Sequence, residues 1–307
     1  MHFFISLVSE GFGRNLYSKK KLKNHNKNKK FLRTIALWLI TIVIAFIVLF
    51  PVVWLFTTSF KPDKETFMIP PSFLPHEFTF DIYKRVLTGG TAKPAPWILN
   101  FFNSLKIALA TTILTTILSA LAGYGFARYK FPFKFVLLII ILVGQMLPGP
   151  ALLVPIAVLI ENIGLTNTHA GLILLYTAFA VPFTTWLAIG NFEAIPREIE
   201  ESALVDGCNQ FSAFIRVVLP LSKIGLITTA IFAFLMSWSE FPFALILMQS
   251  DEQQTMPLAM ARLIREFNVF FNEMGAVTML FTIPIFLVFL FAQKYFIRGI
   301  TAGALKG

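Results

Sequence analysis

The chain has 307 residues, of which 56% are hydrophobic and only 14% are charged. Soluble domains carry about 25% charged residues and disordered chains are poor in hydrophobic residues, so this composition excludes both classes. A single cysteine, Cys208, excludes an intrachain disulfide scaffold and a multi-cysteine metal cage. A polytopic membrane protein is therefore the default interpretation.

The formal net charge is +10, and much of it lies in the N-terminal segment, residues 1–34. Residues 19–30 are mostly lysine and asparagine, which favours a basic cytoplasmic tail that sets the topology and can touch anionic lipid. Nucleic-acid binding is the alternative for a basic protein, and the position of this charge directly before an apolar run disfavours it. That apolar run is too long for a cleavable signal peptide. The basic residues of the segment are Arg14, Lys19, Lys20, Lys21, Lys23, Lys27, Lys29, Lys30 and Arg33.

Six apolar runs are long enough to cross about 30 Å of hydrocarbon, which takes about 20 helical residues each. Pro148 and Pro150 interrupt the third run, and Glu240 and Pro242 lie inside the fifth. The predicted fold is an all-α polytopic membrane protein with six transmembrane helices. The predicted spans are residues 37–56, 101–126, 135–160, 170–189, 224–248 and 274–296.

The charges of the loops predict the orientation of these spans. Six spans place both termini on one side, where 18 of the 26 basic residues fall, against seven on the other side. Because positive residues accumulate in cytoplasmic loops, both termini are predicted to be cytoplasmic. The six-span domain then covers residues 35–307, with a cytoplasmic loop at 191–222 and a C-terminal cytoplasmic tail at 297–307.

The cytoplasmic loop 191–222 is too polar to span the membrane and too regularly patterned for a linker. Residues 195–207 predict a short helix with Pro196 at its first position and acidic residues in its first turn. Gly207 is a natural left-handed stop for this helix.

A second short helix is predicted to follow in the same loop. Asn209 can cap it, apolar residues recur along one face, and Pro220 is expected to end it. Two bent helices under the membrane suit docking into a groove on a soluble partner. A surface-lying or re-entrant linker remains an equal alternative on pattern alone.

The spacing of Glu201-Ser-Ala, Gly207 and Leu219-Pro220 resembles the E-A-A…G…I-x-L-P loop of bacterial and archaeal ABC importer permeases. The chain looks closest to the carbohydrate-uptake branch and to the smaller maltose-type permease, over roughly residues 35–307. Serine and valine stand where the family usually has alanine and isoleucine. The residues assigned to this loop are Glu201, Ser202, Ala203, Asp206, Gly207, Val217, Leu219 and Pro220.

Other stretches agree with this resemblance to ABC importer permeases. They are Asn103-Ser-Leu, Ala127-Arg-Tyr-Lys-Phe-Pro, Gly164-Leu-Thr-Asn-Thr, Trp238-Ser-Glu-Phe and the ending from Gly299 to Gly307.

The resemblance implies that the loop sits in a cleft of a cytoplasmic ATPase subunit and transmits its closure to the spans. Glu201 would make the charged contact, Ala203 would permit close approach, and Gly207 would supply the bend. The chain has no G-x-x-x-x-G-K-[ST] loop, so we expect ATP and magnesium to be handled by the partner ATPase and no cofactor in this chain.

The resemblance also implies an assembly in a bacterial or archaeal cell membrane. The expected partners are a second homologous permease subunit, two ATPase subunits and an extracellular solute-binding protein that delivers a sugar or oligosaccharide. No nucleic acid and no metal site are expected.

Glu240 is the main candidate for a residue on the substrate path, because a carboxylate in a span normally faces a cavity or a partner. Its alternative role is a structural hydrogen bond to another span. Trp238 and Gln145 are the accompanying candidates, and Gln145 also marks the interrupted third span.

Three alternative functions remain to be distinguished from a sugar importer subunit. Glycerol-phosphate or polyol import is the runner-up within importers. An autonomous secondary transporter would need inverted repeats and several paired charges in the membrane, which the sequence lacks. A membrane-embedded enzyme would need a catalytic constellation, and none is recognisable.

Overall fold

A computed structural model describes residues 33–88, 97–261 and 271–304, with side chains through residue 294. The predicted basic tail lies almost entirely outside these ranges. Within them all regular structure is helical. The long helices are α1 Arg33–Thr58, α4 Trp97–Arg128, α7 His169–Glu193 and α14 Phe271–Ala304. The shorter helices are α2 Asp63–Thr66, α3 Asp81–Thr88, α5 Lys134–Val143, α6 Gly149–Asn162, α8 Arg197–Val205, α9 Gln210–Ala213, α10 Leu219–Leu221, α11 Lys223–Trp238, α12 Pro242–Leu247 and α13 Met256–Ala261.

The four long helices are apolar and long enough to cross a membrane. They correspond to the predicted first, second, fourth and sixth spans. Two bent helix pairs raise the number of candidate spans in the described residues to six. The predicted six-span, all-α fold is therefore confirmed, and two of its spans are broken rather than straight.

The predicted interruption of the third span is a sharp bend. Helix α5 leads into a 3₁₀ turn, Gly144–Met146, and the following helix α6 is inclined by 99°. Pro148 adopts an extended conformation before α6, and Pro150 occupies the first turn of that helix. Because proline cannot donate a backbone hydrogen bond, the helix stops and starts again here.

The predicted fifth span, residues 224–248, is wrong as a continuous helix. Helix α11 ends at Trp238 and the six-residue helix α12 begins at Pro242. The break follows from Pro242, which has no N–H, and from Glu240, whose carboxylate takes the N–H groups of the next turn. On its other side, α11 is inclined by 78° to the segment Gln210–Leu221.

The predicted C-terminal tail, residues 297–307, begins within the last helix. Helix α14 runs from Phe271 to Ala304, so residues 297–304 are helical, and their cytoplasmic location stays a prediction. Gly299 and Gly303 lower helix stability by roughly 1 kcal/mol each, but unlike proline they retain the backbone donor. The helix can therefore run through them.

The chain divides into two compact units, residues 1–57 and 58–307. In the first unit, the apolar stretch of α1 has no buried residue, as expected for a helix that lipid surrounds. The second unit has a core of α4, α7 and α11. Ser119 and Thr184 share a 2.6 Å hydrogen bond between α4 and α7.

Helices α4 and α7 approach each other closely at Gly123. A Cβ at this position would lie 2.6 Å from the Cβ of Ala188, so only glycine permits the contact. The two helices pack as one body along this seam.

The segment between α1 and α4 contains a polar cluster around Glu65. Ser72 donates to its carboxylate at 2.7 Å, and the His76 backbone N–H donates at 3.0 Å. Burial opposes ionisation, but these hydrogen bonds outweigh burial and lower the pKa of Glu65 to about 2.

Candidate coupling site and substrate path

The predicted coupling loop forms the two short helices that its pattern indicates. Helix α8 begins at Arg197, one residue later than predicted, because Pro196 is extended and precedes it. Gly207 has a φ of +91°, which confirms the left-handed stop. No atom lies within 4 Å of a Cβ built there, so the requirement for glycine is conformational and not steric.

The second helix begins as predicted but does not end at Pro220. The Asn209 side chain accepts a 2.8 Å hydrogen bond from the Ser212 N–H, which confirms the cap. Residues 214–218 then form a π-helical turn in which the Leu219 N–H donates to the Phe214 carbonyl. This wider turn accommodates Pro220, which lacks an N–H, and the helix continues to Leu221.

The residues assigned to the coupling loop separate into two groups by exposure. Exposed positions are Glu201, Ser202, Asp206, Gly207 and Pro220, whereas Val217 and Leu219 are half-buried. Ala203 is 9% exposed and lies inside this chain. Its predicted close approach to a partner stays a prediction, and little of the side chain is open to such a contact in this chain alone.

Exposed apolar residues on α8, which also carries the exposed Glu201, and on the helix that follows it form what we call the coupling face. Val205 is 86% exposed and Phe211 is 67% exposed, so both apolar side chains are largely uncovered in this chain. Exposed patches of this kind typically mark protein interfaces. The other exposed apolar members are Ile199, Leu204 and Ile215.

The inner face of the loop packs on the ends of α4 and α7. Phe214 and Val218 are buried against Tyr124 and Phe192, with ring centroids of Phe214 and Tyr124 4.4 Å apart. The loop is therefore fixed to both helices on one face and open on the other.

A buried ion pair lies beneath the coupling face and was not predicted. Glu200 accepts a 2.7 Å hydrogen bond from Arg128 Nε, and its other oxygen accepts from the Tyr124 hydroxyl. The Arg128 and Glu200 side chains are 7% and 11% exposed. Helix geometry places Glu200 about 100° around α8 from Glu201, so the two neighbouring acids face opposite environments.

Glu240 is held by hydrogen bonds inside the chain. One carboxylate oxygen accepts from the Phe243 N–H at 2.7 Å, and the other accepts from the Ala244 N–H at 3.2 Å and from the Tyr176 hydroxyl. Glu240 thus caps α12 and ties it to α7. This arrangement favours the structural alternative over a contact with substrate.

Trp238 and Gln145, the other path candidates, also make internal contacts. Trp238 is 1% exposed, stacks on Phe281 and donates to its carbonyl at 3.2 Å, so it has no free surface for a substrate. Gln145 is exposed in the 3₁₀ turn, and its amide donates to the Phe179 carbonyl of α7.

A cavity of about 620 Å³ lies between α5, α7 and α11. Its lining combines aromatic rings with polar groups, as small-molecule sites generally do. Trp186, one of these rings, is 48% exposed. The lining includes Phe135, Trp186, Asn191, Glu193 and Thr228.

Comparison with known proteins identifies the family. The model described as "Binding-protein-dependent transport system inner membrane component" matches residues 113–302. The chain belongs to this family. Its members are transport components of the inner membrane, and membership implies an importer that works with a substrate-binding protein and an ATPase. The resemblance to ABC importer permeases is thereby confirmed.

Full-length relatives carry names of sugar transport systems. The chain is 33% identical to the diacetylchitobiose uptake system permease protein DasC of Streptomyces coelicolor, over 87% of this chain and 96% of that protein. It is 34% identical to the trehalose transport system permease protein SugB of Mycobacterium tuberculosis, over 87% and 95%. It is 31% identical to the trehalose/maltose transport system permease protein MalG of Thermococcus litoralis, over 91% and 99%.

A solved structure supports the fold. A bacterial ABC transporter involved in the import of the acidic polysaccharide alginate aligns with a TM-score of 0.75 at 21% identity. The alignment covers 86% of this chain and 96% of that chain. This chain therefore shares its helical arrangement with that structure at low sequence identity.

Proposed function

We propose that this chain is a permease subunit of an importer for a sugar or oligosaccharide. The single observation that carries the proposal is the match over most of the chain to relatives named for the uptake or transport of diacetylchitobiose, trehalose and trehalose/maltose. An extracellular solute-binding protein would deliver the substrate. Glycerol-phosphate or polyol import is less well supported, because none of these three relatives is named for such a substrate.

The proposed orientation places both termini and the coupling loop in the cytoplasm of a bacterial or archaeal cell. The distribution of basic residues supports it, with 18 on the side of the termini and seven on the other. The segments 59–88 and 249–261 would then face the solute-binding protein.

The coupling face would dock into a cleft of a cytoplasmic ATPase subunit. An exposed carboxylate at Glu201, on a helix that also carries exposed apolar residues, suits a groove with one basic residue and apolar walls. Two such ATPase subunits would bind and hydrolyse ATP with magnesium, and a second, homologous permease subunit would complete the membrane part. This chain would supply no cofactor site of its own.

The cavity between α5, α7 and α11 is a better candidate for part of the sugar path than Glu240. Phe135 and Trp186 offer flat surfaces for the apolar face of a sugar ring, and Asn191 and Glu193 offer groups for its hydroxyls. Such a mixed lining suits uncharged, hydroxyl-rich solutes.

The test is purification of the complete importer through a tag on this chain, followed by reconstitution in vesicles with its binding protein. We expect a second permease and an ATPase to copurify, and ATP-dependent uptake of at least one labelled disaccharide from a panel. Uptake of glycerol phosphate or a polyol in place of every sugar would support the runner-up. Uptake without ATP or without the binding protein would contradict the importer assignment.

A further inference from the structure

The Arg128 end of α4 is joined to the coupling loop by more than one side chain. Arg128 donates to Glu200 and, through a second guanidinium nitrogen, to the Ile195 carbonyl at 3.1 Å. In the opposite direction, Arg197 at the start of α8 donates to the Ala127 carbonyl at 3.0 Å. These three hydrogen bonds join the end of α4 to α8 and to Ile195, which precedes α8. Sliding α8 along α4, or rotating it away, would break them.

The Trp97 end of α4 is joined in a similar way to the segment between α12 and α13. The Asn103 amide donates to the carbonyls of Glu252 and Gln254 at 2.7 and 3.0 Å. The Ser104 hydroxyl accepts from the Met256 N–H at 2.7 Å. These partners are about 150 residues apart in the chain, so the bonds fix tertiary structure and not a local turn.

We propose that α4 is a rod that transmits movement between the coupling helix α8 and the segment 251–256 on the opposite side. The Glu200–Arg128 pair is the joint at one end, and Asn103 is the joint at the other. This inference rests on the proposed function, because it takes α8 as the element that the ATPase moves.

The geometry of α4 suits such a rod. Its 32 residues extend roughly 48 Å at 1.5 Å per residue, enough to cross the hydrocarbon and reach both interfaces. It contains no proline, so every residue along its length has a backbone N–H to donate. A displacement at one end therefore moves the other end as well.

The Glu200–Arg128 pair holds α8 against α4 through a hydrogen bond, which is directional. Apolar side chains would hold α8 against α4 equally well but would let it slip, because the hydrophobic effect is non-directional. Charged hydrogen bonds with fixed angles resist that slip. Since Glu200 and Arg128 are nearly enclosed, dissolved salt screens their attraction little.

The first test replaces Glu200 by glutamine in the complete importer. Glu200→Gln keeps the shape of the side chain and removes its charge. We expect normal complex yield and normal basal ATP hydrolysis, with stimulation by the binding protein reduced by about tenfold or more. Glu198→Gln, an exposed acid of the same helix, is the matched control and should leave stimulation unchanged. Should Glu200→Gln fail to assemble, Arg128→Lys serves the same comparison, since it keeps the charge and loses the second hydrogen bond.

The second test addresses the far end and the connection between the two ends. Asn103→Leu removes both donors to the segment 251–256 and should reduce stimulation in the same way. If the two joints act through one rod, the loss of stimulation in the double variant Glu200→Gln/Asn103→Leu should be no larger than the loss in the more impaired single variant. Reductions that multiply in the double variant would overturn the rod.

Glu201→Lys distinguishes a failure of this inference from a failure of the proposed function. A loss of stimulation in Glu201→Lys together with normal stimulation in Glu200→Gln would retain the coupling face and refute the joint. Normal stimulation in both variants would refute the role of α8 in coupling, and with it the rod.

Discussion

At the scale of single residues, Glu240 shows how a carboxylate in a membrane span can be structural. Its two oxygens accept two backbone N–H groups and the Tyr176 hydroxyl, so α12 begins with its first donors satisfied. An unsatisfied backbone N–H in hydrocarbon costs several kcal/mol. The residue therefore makes the break before α12 tolerable inside the membrane.

We predict that Glu240→Gln weakens the assembly and slows uptake of every sugar to the same extent. A glutamine has one acceptor oxygen, so at least one of the three hydrogen bonds is lost, at about 1.5–3 kcal/mol for a bond to a charged group. Complex yield, melting temperature and uptake of two different sugars measure the effect. Glu161→Gln, at an exposed position of α6, is the control. Normal assembly with a selective loss for one sugar would restore Glu240 to the substrate path.

At the scale of elements, the turn between α8 and α9 depends on the backbone of Gly207. Its φ of +91° lies in a region that residues with a Cβ rarely adopt. A side chain at this position strains the turn and re-aims the coupling face relative to the rest of the loop.

We predict that Gly207→Leu impairs uptake and binding of the ATPase while membrane insertion stays normal. Gly125→Ala, in the last turn of α4 where nothing lies within 4 Å of the new Cβ, should have no harmful effect and serves as the control. Copurification of the ATPase and the amount of inserted protein give the readouts. Full transport by Gly207→Leu at normal expression would contradict the role of the bend.

The helices of the coupling loop could be predicted because local signals define them. Asn209, Gly207 and the acidic first turn each act through neighbouring backbone groups, and all three were confirmed. The end at Pro220 was wrong because a π-helical turn, which has no simple sequence signature, absorbed the proline.

Long-range partnerships could not be predicted in the same way. Glu198, Glu200 and Glu201 look alike in the sequence, and only tertiary packing against Arg128, 72 residues away, turns one of them inward. The motif Ala127-Arg-Tyr belongs to the family resemblance, but the sequence does not identify Glu200 as the partner of Arg128. Hydropathy likewise located the fifth span but could not reveal that Glu240 caps a new helix within it.

At the scale of the whole molecule, the proposed topology exposes the segment before α3 on one side of the membrane and the coupling face on the other. Lys64 is exposed in the segment before α3, and Val205 is exposed on the coupling face. The distribution of basic residues assigns the first to the outside and the second to the cytoplasm.

We predict that single cysteines at these two positions, in a Cys208→Ser background, react oppositely with an impermeant thiol reagent. In intact cells the cysteine at position 64 should be labelled and the cysteine at position 205 should not, until the cells are opened. Labelling at 205 in intact cells would contradict the proposed orientation.

The contact of Gly123 with Ala188 has a consequence for how the molecule can change shape. Helices this close interlock, and a shift that brings them closer at Gly123 would drive Ala188 into the backbone of α4. We therefore expect α4 and α7 to move together as one block when the molecule alternates between open and closed states. Among the described residues, the interruptions at residues 144–148 and 239–241 are candidate hinges, since the backbone already leaves the helical ladder there. The prolines that break two spans would then be the points about which gates turn.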